Sequence, residues 1–259
     1  MKHRTKEILL GACSLLTILV LWQLASVTGV FGKYTLEKGA LLLPSPLFVA
    51  GRMLELIVNG YLPQNIWISC KRVLAGFAIA VAIGSPMGIL MARSHTIKCL
   101  LKPVFNIVAP IPGVAWVPLA ILWFGLGNNA AVFIIIVGSI TPIVTNTFQG
   151  VESVEKKLED VMKMLKASRA QVFRLLILPS VIPYLVTGFK LGMGFAWRVV
   201  IAAEMVGVPQ GIGYVLNSGR STGQTEITFI TIISLFLIMT FFEKCLFAPL
   251  EKLTDWKKA

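Results

Sequence analysis

The chain has 259 residues, of which 56% are hydrophobic and only 14% charged, with 24 Lys and Arg against 12 Asp and Glu. So apolar a composition excludes an ordinary soluble domain and defines an integral membrane protein. The cations flank apolar runs and form no groove-sized patch with interleaved aromatics, so the charge speaks for membrane topology and against nucleic acid as a partner.

In chain order, residues 8–28 follow a basic start and read as an uncleaved first span, since about 20 residues at a 1.5 Å rise cross a bilayer core. Leu10-Gly11-Ala12-Cys13 looks like a lipoprotein cleavage box, but the apolar run continues past the cysteine, the wrong way round for processing. Pro44-Ser45-Pro46 opens a short amphipathic helix ending at Asn59-Gly60, too polar to span. The second span is expected at 73–92, with Gly76, Ala80, Gly84 and Gly88 four apart as a helix-packing stripe.

The third span, 103–124, contains Pro110, Pro112 and Pro118. Each removes a backbone donor, and irregular backbone at membrane depth survives only against protein or water, so Pro112 and Pro118 are candidates for a transport pathway. A fourth span at 130–148 follows. The fifth, 185–206, holds Lys190, Arg198 and Glu204, and the sixth is placed at 227–247. Lys190, Gly194 and Arg198 lie four apart on one face, with Glu204 beyond. Two roles stay open for these charges: an anion path, or an ion pair or carbonyl contact that fixes helix packing.

Residues 149–184 interrupt the spans as a polar, basic loop. Val161, Leu165, Val172, Leu175 and Leu176 recur at helical spacing among its cations, and Ser168 with Gln171 forms a capping box. A turn is therefore expected at Lys166-Ala167, with a second short helix ending at Leu178 before Pro179. With the N-terminus in the cytoplasm, the six-span count puts sixteen cations inside and six outside, Arg72 among the latter, which places this loop in the cytoplasm.

Cys13, Cys70, Cys99 and Cys245 form no C-x-x-C pair and the only histidines are His3 and His95, so no metal, disulfide framework or cofactor is expected. The chain also lacks a phosphate-binding G-x-x-x-x-G-K-[ST] loop, a G-x-S-x-G elbow and H-E-x-x-H, so it is not expected to be an enzyme.

The loop, with Leu43-Pro44-Ser45-Pro46, residues 109–127, residues 194–205 and the tail Leu253-Thr254-Asp255-Trp256, resembles the permease subunits of ATP-binding-cassette importers, in the nitrate, sulfonate and taurine branch. That family carries a cytoplasmic motif of E-A-A, three residues, Gly, nine residues, then I-x-L-P. Here it runs from Asp160 through Lys166 to Leu178-Pro179, with Val161 and Met162 for the alanines, Lys166 for the glycine and Leu176 for the isoleucine. Ala167, Ser168, Arg169 and Phe173 also match the family's usual sequence after the glycine.

The resemblance implies an all-helical, single-domain, six-span permease of the type I importer kind in the bacterial inner membrane, both termini cytoplasmic. The loop would hold a separate ATPase subunit, a second copy of the chain would complete the pathway, and an extracytoplasmic binding protein would deliver the solute. Small anions such as alkyl sulfonates, taurine or nitrate lead, with thiamine-precursor-like or riboflavin-like solutes as alternatives from related branches. A secondary, ion-coupled carrier is the rival reading. It would need coupling-ion sites and often inverted repeats, and neither intramembrane carboxylate sets nor a repeat is visible.

Overall fold

A computed structural model describes residues 2–28 and 42–254, all of whose regular elements are helical. Lys33, Lys38, Asp255 and Trp256 lie outside the described residues. Helix α1 (Lys2–Thr28) carries the first apolar span, Leu9–Thr28. Among the described residues it is fastened near its far end: Trp22 stacks on Phe229 and donates to the Pro44 carbonyl, and Ser26 donates to the Leu43 carbonyl. Helix α2 (Pro46–Val58) starts as expected, with the Ser45 hydroxyl accepting from the Phe48 N–H, and stops at Asn59 before Gly60 in the left-handed region.

Helix α3 (Tyr61–Arg93) begins twelve residues before the expected span. Pro63 sits in its first turn, where proline displaces no helical hydrogen bond, and at 33 residues the helix is about 50 Å long. The expected third span is not one helix. Helix α4 (His95–Val108) and the pair formed by a 3₁₀ turn (Gly113–Trp116) with α5 (Val117–Phe124) meet at 94°. Pro110 and Pro112 remove two donors within three residues and restrict the residues before them, so the helix breaks there instead of merely loosening. Among the described residues, five helices are long and apolar enough to cross a membrane, or six if the bent pair counts as one broken span.

Helix α6 (Asn128–Glu152) is the central post, packed between α3 and the later α9 (Leu178–Gly207). The predicted glycine stripe explains the fit. A Cβ on Gly76 would run into Ile135, on Gly84 into Ile143 and on Gly88 into Thr147, all on α6. Gly188 and Gly192 on α9 lie as close to Pro142, Ile143 and Asn146 from the other side. Ile134, Ile135, Met193, Trp197 and Val200 fill the core between these three helices.

Beyond α6, helix α7 (Lys156–Met164) and helix α8 (Arg169–Val172) flank a short turn. The expected stop before Pro179 does not occur. A π-turn (Phe173–Ile177) joins α8 to α9, and the Leu178 N–H reaches back five residues to the Phe173 carbonyl. That wider turn takes up the disruption a proline brings to the helical ladder, so the chain continues as one helix, Arg169–Gly207. The same device recurs ahead of Pro249, where a π-turn (Glu243–Phe247) links α11 (Thr225–Phe242) to α12 (Ala248–Thr254). Between α9 and α11 lies α10 (Ile212–Ser221), which the hydropathy pattern did not announce.

Candidate functional site

Three places gather the residues singled out in the sequence. The first is the α7–α8 turn. Lys166 stands at φ +58, the left-handed region, where its N–H donates to the Lys163 carbonyl and that of Ala167 to the Met162 carbonyl. These two bonds are the helix-ending pattern that usually has glycine at this position. Ser168 then caps α8, accepting from the Gln171 N–H while the Gln171 side chain accepts from the Ser168 N–H at 2.7 Å. Val172 and Ile177 bury themselves against Val151 and Val181, with Ala167 packed beside them.

The rest of the segment faces outward. Val161, Met164, Leu165 and Leu175 are exposed, Met164 by 83%, so of the apolar residues that recur at helical spacing Val161, Leu165 and Leu175 face outward while Val172 is buried. Phe173 and Leu178 are at the margin of exposure, Pro179 is half-buried, and Asp160, Lys166 and Arg169 lie in the open. The hydrogen bond from Lys163 to Asp160, 2.8 Å, raises the Lys163 amine above its ordinary value. Arg93 and Lys98 tie the segment inward, to Glu159 on α7 and Glu152 at the end of α6.

The second place is a pair of grooves that meet at Phe195. One, of about 430 Å³, lies inside the 94° bend and is lined by Pro110, Pro112, Trp116, Thr141, Thr145 and Phe195 among others. The other, of about 260 Å³, runs between α9 and α11 and is lined by Lys190, Gly194, Phe195, Arg198, Met239 and Glu243 among others. The expected common face of Lys190, Gly194 and Arg198 is thus real. Lys190 is bound to Glu243 and Glu251 at 3.0 and 3.1 Å. Arg198 is exposed and lies over the Phe195 ring, 5.5 Å from its centroid. Pro118 lines a separate groove against Ala202, Met205 and Val206 of α9.

Glu204 belongs to neither groove. It is fully buried and pairs with Arg72 of α3, itself 6% exposed, at 2.7 Å; of the two roles the sequence left open for it, an anion path or an ion pair that fixes helix packing, this geometry is the ion pair. Ser69 donates to it at 2.8 Å and the Gly213 N–H at 2.9 Å. Arg72 further donates to Asn128 at the start of α6 and to the Gln210 carbonyl. The N–H of the N-cap residue Gly211 and the first two N–H groups of α10 are held by other elements: Gly211 by Asn65, Ile212 by Ser69 and Gly213 by Glu204. A helix N-terminus that lacks a cap of its own is thereby closed, and the carboxylate complements its dipole. A side chain on Gly211, at φ +113, would strike that carboxylate.

Asn65, Ser69 and Arg72 were missed as a site because they precede residue 73, where the second span was expected to begin. Their spacing of four and three is the signal, a polar stripe on one face of a helix that starts at Tyr61.

Apolar helices of spanning length packed round one post, with a proline-broken pair beside them, define a polytopic membrane protein. Comparison with known proteins sharpens this. The chain belongs to the family described as binding-protein-dependent transport system inner membrane component, whose model matches residues 84–246. It is similar to a probable ABC transporter permease protein of Brucella abortus (strain 2308), 33% identical over 94% of this chain and 98% of that one. It is also similar to the taurine transport system permease protein TauC of Escherichia coli (strain K12), 28% identical over 97% and 91%. In fold it resembles the inward-facing MetNI methionine ABC transporter, with a TM-score of 0.58 and 18% identity over 73% of this chain and 95% of that one. The chain is a multi-pass inner-membrane permease of the ABC-importer kind, and its fold is of the type I importer class.

Proposed function

We propose that this permease works as a homodimer, binds an ATPase subunit through its α7–α8 turn on the cytoplasmic side, and passes a small anion such as a sulfonate received from an extracytoplasmic binding protein. Both termini then lie in the cytoplasm, in keeping with the excess of cations there. ATP hydrolysis belongs to the partner.

The observation that carries the reading is the surface of the turn. Val161, Met164 and Leu165 stand exposed among Asp160, Lys163 and Lys166 on a segment that is nonetheless anchored from below by Val172 and Ile177. Apolar side chains inside a charged rim are the composition of a docking face. The turn leads directly into the single helix Arg169–Gly207, which passes the grooves and carries Glu204 near its far end, so a displacement of the turn reaches the bend. Pro112 and Arg198 are the pathway candidates best placed to feel it, and the TauC likeness supports a small sulfonate as the solute.

The test is purification of the tagged chain from its native membrane in mild detergent, beside a variant with residues 160–170 scrambled. An ATPase that accompanies the native chain and not the scramble is the expected result. A folded native chain that arrives alone would overturn the reading and reopen ion-coupled transport.

A further inference from the structure

Helix α4 buries none of its side chains. Its first turns carry His95 and Cys99, four residues apart and therefore on one face, and both are exposed. The Cys99 sulfur lies 3.5 Å from His95 Nε2. A thiol makes only a weak hydrogen bond, and this separation is also that of two ligands on one metal ion. Zinc holds a thiolate sulfur at about 2.3 Å and an imidazole nitrogen at about 2.0–2.1 Å, so at the tetrahedral angle the two ligand atoms stand about 3.6 Å apart. The pair already has the bite of a zinc chelate, and neither side chain has to swing to form one.

The surroundings admit a dication. Arg93, Lys98 and Lys102 flank the pair in sequence, and Glu159 and Glu152 neutralise the first two of them. So many charges at one end of α4 belong at the aqueous surface of the membrane and not in its hydrocarbon, which leaves the pair within reach of dissolved ions. No third His, Cys, Asp or Glu closes on the pair among the described residues, so water fills the remaining positions on the ion. An open site with two protein ligands exchanges its metal, unlike the closed four-ligand sites that hold a fold together.

We propose that His95 and Cys99 form an exchangeable site for a thiophilic divalent cation of the zinc kind, on the side of the protein that carries the α7–α8 turn. On binding, the Cys99 thiol gives its proton to solvent, and the thiolate and the Nε2 lone pair displace two waters from the ion. Magnesium and calcium, which take oxygen ligands, are excluded by the donor set. The bound ion ties the first turn of α4 to the second, next to the contact of Lys98 with Glu152. The site is independent of the solute the permease carries.

The test uses the purified full-length chain in lipid nanodiscs, alkylated with N-ethylmaleimide during a titration with zinc sulfate or magnesium sulfate. Peptide mass spectrometry reads the labelling rate of Cys99. Zinc at ten times its dissociation constant leaves about one thiol in eleven free, so labelling slows about tenfold, while magnesium leaves the rate unchanged. In His95→Ala, an exposed position whose loss leaves the fold intact, most of that ratio between zinc-free and zinc-bound rates disappears. Zinc that fails to slow the labelling of Cys99, or slows it equally in His95→Ala, overturns the chelate. So does a Cys99 that resists the reagent even without zinc, because it then lies out of reach of aqueous metal.

Discussion

The two ends of the helix Arg169–Gly207 are built on opposite terms. At one end Glu204 is wholly buried and each of its oxygens is held by Arg72, Ser69 or Gly213. At the other the helix starts from an exposed turn with a lysine in a left-handed conformation and bare apolar side chains around it. A buried ion pair survives only when its remaining hydrogen bonds are made, so the first end has one arrangement open to it. The second leaves its apolar surface for another molecule. A single helix thus joins a part shaped for internal fit to a part shaped for contact.

Substitutions separate the two terms. The largest effect falls at the buried end: Glu204→Leu leaves Arg72 uncompensated and uncaps α10, and should destabilise the protein by about 3–5 kcal/mol. Equilibrium unfolding in mixed detergent micelles reads this, and the double variant Arg72→Met with Glu204→Leu should recover much of the loss. A single variant as stable as the native chain would dissolve the comparison. At the exposed end the sign reverses. Lys166→Gly relieves the left-handed lysine and should stabilise by roughly 1 kcal/mol, with ATPase retention intact. Loss of the ATPase in that variant would show that the lysine makes a contact of its own. Between the ends, Arg198→Leu should move stability by less than about 0.5 kcal/mol, because the side chain is exposed and has no carboxylate to lose. The same unfolding experiment decides whether Arg198 is, against this account, a packing residue.

Much of this was legible in the residues. The apolar runs, the α2 cap, the glycine stripe of α3 and the Ser168 capping box all rest on patterns within one helix, where spacing determines geometry. The failures share a cause. Asn65, Ser69 and Arg72 were left outside the expected span because hydropathy counts a polar side chain as a cost, while in the fold the N–H groups of residues 211 and 212 and the carboxylate of Glu204 meet them from more than 130 positions away. No local pattern contains that. Pro179 was read as a stop because the rule concerns an ordinary α-helical ladder, and the π-turn before it changes the ladder. Among the prolines of residues 103–124, their presence announced an irregular span, but its 94° angle depends on how α5 packs against α6 and α9.

The claim on which the rest depends is that the exposed face of α7 holds the ATPase. Replacing Val161, Met164 and Leu165 together by serine alters that face without touching the anchors Val172 and Ile177. The measurement is the molar ratio of ATPase to permease recovered from the membrane, taken beside the thermal midpoint of the permease in the same detergent. The account predicts a ratio near that of the native complex for unmodified chain and its loss in the triple variant, at an unchanged midpoint. A triple variant that keeps its ATPase would contradict it.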